Sequence, residues 1–76
     1  MMEERIIQIV NTLLPGIDVA DSEDFFDDGL DSIGVMAIIS MIESEFSIEI
    51  SPADITADNF SNLSGIEEML KKYDVK

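Results

Sequence analysis

No cysteine and no histidine occur anywhere in the 76 residues. That double absence constrains the fold more than any other feature. Without thiols there is no disulfide and no thiolate metal site, and without imidazole the commonest metal ligand is missing too. Chains this short often lean on such staples, because a small core leaves only a few kcal/mol of net stability. This fold must be held by apolar burial, and a 46% hydrophobic content supplies the material. Each fully buried Leu, Ile, Val or Phe contributes roughly 1.5–3 kcal/mol before the entropy cost.

The apolar residues recur at helical spacing. Residues 2–14, MEERIIQIVNTLL, predict a first helix with Ile6, Ile9, Val10, Leu13 and Leu14 on one side. Glu3 and Glu4 suit its positive end, and Pro15-Gly16 stops it. A long loop follows over 15–31, with Ile17, Val19, Phe25, Phe26 and Leu30 to tuck it onto the core and Asp21 and Ser22 to cap a turn before Phe25. A second helix is predicted from Ser32 to about Phe46, with Asp31 or Ser32 as its N-cap. Its core face gathers Val35, Ile38, Ile39, Ile42 and Phe46, and its outward face carries Ile33, Met36, Ala37, Ser40 and Ser44. Ser47-Ile48-Glu49-Ile50 alternates like a strand, but a lone short strand has no partner. Ser51-Pro52 opens a short third helix to about Ile55, then TADNFSNLS reads as a loop. Ser64 is expected to cap the last helix, in which Glu67 and Lys71 form a favourable pair. The expected class is all-α, a small four-helix bundle with a long first loop and a short third helix, residues 1–76 forming one domain.

Charge narrows the partners. Seventeen acids face four bases, a net charge of −13, and no base lies between Ile6 and Leu70. Nucleic acid is excluded as a ligand, since phosphate binding needs cations, and an anionic membrane surface is disfavoured likewise. A partner with a basic surface is favoured. No run is long enough to span a membrane, and MMEERIIQIV does not read as a signal peptide, so a cytoplasmic monomer is expected.

Catalysis by the chain itself is not expected. No His or Cys supplies a nucleophile–base pair, LDSIG lacks the first glycine of a nucleophile elbow, and no glycine loop cradles phosphate. DFFDDGLDSIGV fails the calcium-loop pattern, because Phe26 and Val35 stand where ligands are required. No metal site is expected beyond weak association of divalent ions with the acidic loop.

DDGLDSIGVM, residues 27–36, is the stretch that asks for a function. Asp27, Asp28 and Asp31 close in on Ser32 at the mouth of an apolar helix, which then carries no charge until Glu43. A serine at a helix start is by default a cap. Here GLDSI is similar to the Asp-Ser-Leu attachment motif of acyl carrier proteins, with Ile33 in place of the Leu. FFDDGLDSIGVMAIISMIESEF and ISPADITADNFSNLSGIEEML follow that family's pattern too, so the resemblance spans nearly the whole chain.

The resemblance implies a 4′-phosphopantetheine on Ser32, transferred from coenzyme A by a phosphopantetheinyl transferase (a holo-acyl-carrier-protein synthase). The arm's thiol would hold an acyl intermediate as a thioester and present it to enzymes of fatty-acid, polyketide or related lipid biosynthesis. It implies docking to basic partner surfaces through Asp28, Asp31, Ile33, Met36 and Glu43. It also implies an acyl pocket lined by Val35, Ile39, Ile42 and Ile55. Two departures stand out. Gly34 and Ala37 occupy places where the family commonly has acids, and the double glycine usual in peptidyl carriers is missing. A D-alanyl or other aminoacyl carrier stays open, and the rival of another class is an acidic interaction module in which Ser32 only caps.

Overall fold

The computed structural model describes residues 1–75, and among these every regular element is helical. Helix α1 spans Met2–Leu13, α2 Ser32–Phe46, α3 Ala57–Phe60 and α4 Leu63–Leu70, with single 3-10 turns at Pro52–Asp54 and Lys71–Tyr73. Helix α1 packs on α2 and α4, and α3 lies against α4. The core between them is closed by Ile6 and Val10 of α1, Ile38 and Ile42 of α2, Phe60 of α3, and Ile66 and Leu70 of α4.

Helix α1 places its charge and its apolar stripe as the spacing requires. Glu3 and Glu4 occupy its first turn, Ile6, Ile9 and Val10 are buried, and the Leu14 N–H closes the end on the Val10 carbonyl. The long loop is not loose. Val19, Phe25 and Leu30 are buried, and the Phe25 N–H donates to the Ser61 carbonyl at 2.6 Å. Asp24, rather than Asp21 or Ser22, caps the turn at Phe25. Its Oδ1 accepts from the Phe26 N–H at 2.9 Å, while the Ser22 hydroxyl donates to Asp28. The turn closes at Gly29, whose φ of +112° lies where L side chains are strained.

Helix α2 begins and ends as the sequence predicts. Ser47 ends it in the left-handed region, its N–H on the Glu43 carbonyl. Val35 and Phe46, assigned to the core face, stay half-buried, whereas Ile38, Ile39 and Ile42 are buried. The alternation at 47–50 comes from an extended segment that buries Ile50, with no strand partner among the described residues.

The second half departs from the sequence reading in three places. TADNFSNLS contains a helix, α3, because Thr56 Oγ1 accepts from the Asn59 N–H at 3.2 Å and Phe60 is fully buried. Helix α4 is capped by Asn62, not Ser64: Asn62 Oδ1 accepts from the Gly65 N–H at 2.8 Å. Asn caps as well as Ser does, and starting two residues earlier brings the buried Leu63 into the helix. Lys71 pairs with Glu68 at 2.7 Å rather than with Glu67. Glu67 is half-buried, and desolvation first, then the nearby Glu3, pushes its pKa up.

Candidate functional site

In Gly29-Leu30-Asp31-Ser32-Ile33-Gly34, four residues have distinct structural tasks: Gly29, Leu30, Asp31 and Gly34. Gly29 turns the chain, and Leu30 drives it into the core, 6% exposed. Asp31 is extended and caps α2, its Oδ1 accepting from the Gly34 N–H at 2.8 Å while its carbonyl accepts from Val35 at 2.9 Å. Gly34 leaves room for Leu30: a Cβ there would lie 2.6 Å from Leu30 Cδ1. Between these fixed points Ser32, the first residue of α2, is exposed.

The question of which residue caps the helix is thereby answered. Asp31 does it, and among the described residues no hydrogen bond engages the Ser32 hydroxyl. The N–H groups of Ser32 and Ile33 lie in the first turn, where a helix offers no internal acceptor, and the dipole favours an anion there. An anionic group joined to Ser32 meets free donors, although the Asp31 carboxylate already occupies the Gly34 N–H. Asp31→Ala is expected to cost about 0.5–2 kcal/mol in urea unfolding. A midpoint equal to that of the wild type would contradict this assignment of the cap.

A cavity of about 300 Å³ opens beside Ser32, lined by Phe26, Ser32, Val35, Met36, Ile55, Thr56 and Ala57. Its wall is mostly apolar, as an aliphatic guest requires. Of the four residues assigned to a pocket from the sequence, Val35 and Ile55 line it. Ile39 and Ile42 do not; they are buried in the core behind, because a helical stripe fixes a direction and not a depth. Phe26, Thr56 and Ala57 were missed, since only the folded chain brings 26 and 55–57 together.

Around the serine, Ile33 is 81% exposed and Met36 59%, the two large apolar side chains that α2 leaves open to solvent. Asp28 and Asp31 are exposed on the loop side. Glu43 sits apart from them in role: half-buried, it accepts from the Ile50 N–H at 2.9 Å and so braces the segment after α2. A second hollow, lined by Asp18, Asp21, Glu23, Asp24, Asp27 and Asp28 among others, is polar. Among the described residues no group of three or more acids is arranged to hold a metal ion. No helix among them is long and apolar enough to cross a membrane.

Next in sequence to the cavity-lining Ile55, Asp54 bonds Lys72 Nζ through Oδ1 and the Tyr73 hydroxyl through Oδ2. The Lys72 bond first, then that from Tyr73, holds the Asp54 carboxyl below the usual range, and the same bonds push Lys72 and Tyr73 up. A lowered carboxyl pKa means that the fold prefers the ionised form. Its stabilisation is full above the ordinary carboxylate range and lost as pH falls through the lower folded value. Glu67 acts oppositely: its raised value favours the fold at low pH, an effect lost as pH rises through that folded value. In Asp54→Asn, the deficit in melting temperature present at pH 6 should therefore close as the pH falls below the ordinary carboxylate range. A deficit constant across that range would contradict the ionic role.

Comparison with known proteins extends this picture. The family described as "Phosphopantetheine attachment site" matches residues 4–70. A D-alanyl carrier protein of Leuconostoc mesenteroides subsp. mesenteroides is 32% identical over 63 residues, covering 79% of this chain and 80% of the relative. Aminoacyl carrier protein 2 of Bradyrhizobium diazoefficiens is 26% identical over 73 residues, covering 91% of this chain and 82% of the relative. No solved structure matches the chain significantly.

Proposed function

The chain belongs to the phosphopantetheine attachment-site family, whose members carry that group covalently, and from this premise we propose that Ser32 is its attachment point and that the chain presents a thioester cargo to partner enzymes. The observation that carries the proposal is the exposed, unpartnered Ser32 hydroxyl at the start of α2, beside an apolar cavity. The group supplies the thiol that a chain without cysteine lacks. The chain's own residues supply the address: a free hydroxyl, unpaired N–H groups for the phosphodiester, and a wall of Phe26, Val35, Met36 and Ile55. The protein catalyses nothing in this account. It is the substrate of a phosphopantetheinyl transferase, then of loading and transferring enzymes in the cytoplasm. Ile33 and Met36 offer the apolar part of the docking surface, and Asp28 and Asp31, with Glu43 further along, attract basic residues of those partners.

Two cargo classes have support. The apolar cavity favours an acyl intermediate of fatty-acid, polyketide or related lipid synthesis. The names of the two relatives favour an aminoacyl group such as D-alanine. A broad-specificity transferase can install either from hexanoyl- or alanyl-coenzyme A. One cargo-bearing arm per chain is expected, and none on a folded chain would overturn the carrier reading. A hexanoyl form that melts above the alanyl form would place the acyl chain in the cavity, because a ligand bound only by the fold stabilises it. Equal melting would favour the aminoacyl reading.

A further inference from the structure

Ile55, Thr56 and Ala57 line the cavity at the end of the segment 51–57, whose own apolar anchoring is thin. Ile50 before it and Phe60 after it are buried, 4% and 0% exposed. Between them Ile55 is half-buried, and Pro52, Ala53 and Ala57 are exposed. The 3-10 turn Pro52–Asp54 contains no buried residue at all. A segment so lightly packed would ordinarily open easily.

What fixes it is a set of polar ties reaching forward to the turn after α4. Asp54 spends both carboxylate oxygens there, one on Lys72 Nζ at 2.5 Å and one on the Tyr73 hydroxyl at 2.5 Å. That hydroxyl also accepts from the Ser51 N–H at 2.9 Å, so one side chain holds both ends of the turn. The Asp54 carbonyl meanwhile accepts from Asn59 Nδ2 at 2.7 Å, joining the turn to α3. Lys72 and Tyr73 follow directly on α4, whose Ile66, Met69 and Leu70 are buried in the core. The ties thus connect a lightly packed wall to a firmly packed helix. The next residues after Asp54 are Ile55, Thr56 and Ala57, which line the cavity beside Ser32.

We propose that Asp54 and Tyr73 are positioning residues that set the width of the cavity beside Ser32 by latching the segment 51–57 to the end of α4. The latch acts through Ile55 and Thr56, and touches neither Ser32 nor anything attached to it. The proposal rests on the cavity as part of the working site, but its test uses the unmodified chain and so stands apart from the attachment of any arm.

Tyr73→Phe keeps the ring and removes only the hydroxyl, and so both of its bonds. Amide hydrogen exchange in this variant is expected to accelerate about tenfold or more at Ser51, Asp54 and Ile55, with the amides of Ile38 and Ile42 in α2 unchanged. The neutral apolar dye Nile red is expected to bind the variant several-fold more tightly than the wild type, as the wall swings out. Lys72→Arg, which keeps the ion pair, should match the wild type in both readouts. Faster exchange confined to residues 71–75 would overturn the proposal. So would equal acceleration in α2, which would make Tyr73 merely structural. Unchanged dye binding alongside faster exchange would also overturn it, because the latch would then not govern the cavity.

Discussion

Ser32→Ala is expected to leave the melting temperature where it is and to abolish loading completely. The two halves of this result have separate causes. The cap of α2 belongs to Asp31, whose Oδ1 holds the Gly34 N–H, so removing the Ser32 hydroxyl breaks no hydrogen bond among the described residues. Alanine at an exposed first helical position should change stability by less than about 0.5 kcal/mol. Loading falls to zero because no other serine has the same setting. Ser40 and Ser44 lie further along α2, Ser47 is its C-cap, and Ser51 accepts from the Ala53 N–H. Were Ser32 only a cap in an acidic interaction module, the outcome would invert: a loss of about 0.5–2 kcal/mol and no change in function. Urea unfolding and transferase-dependent labelling of the same sample separate the two.

Phe60→Ala should produce the largest loss of stability. Phe60 is fully buried and ends a helix of four residues, far too short to persist without packing. Truncating a buried phenylalanine costs about 3–5 kcal/mol, and a chain of this length has only roughly 4–11 kcal/mol to lose. The melting temperature should fall by more than about 12 °C. Helix α3 should loosen first, taking with it Thr56 and Ala57 and hence the side of the cavity they form. Phe46, half-buried at the end of α2, is the control: its alanine variant should lose clearly less. A fall under about 5 °C for Phe60→Ala would show that α3 is not held by this side chain.

Much of the architecture was legible because periodicity and punctuation agree. Pro15 ends α1, and Asp31-Ser32 opens α2, whose predicted stripe supplies the buried Ile38, Ile39 and Ile42 while Val35 and Phe46 at its ends stay half-buried. Helix α3 was not legible, since four residues carry no period and Phe60 acts through tertiary burial. The choice of Asn62 over Ser64 was a contest between two good caps, decided by the burial of Leu63. At the site, Ser32 stood out from its neighbours in sequence. The lining by Phe26, Thr56 and Ala57 did not, and neither did the tie from Asp54 to Tyr73, nineteen residues away. Such contacts depend on how the helices cross, which no local pattern encodes. Glu43 was read as a docking charge, yet its carboxylate also braces Ile50, a role that depends on where the chain returns after α2.

The most direct test of the account is to locate the attachment. The wild-type chain is incubated with coenzyme A and a broad-specificity phosphopantetheinyl transferase, its intact mass is read, and the product is fragmented. The account predicts a gain of one phosphopantetheinyl group, carried entirely by the fragment that contains Ser32. No gain on a folded chain, or a gain on a fragment without Ser32, would contradict it.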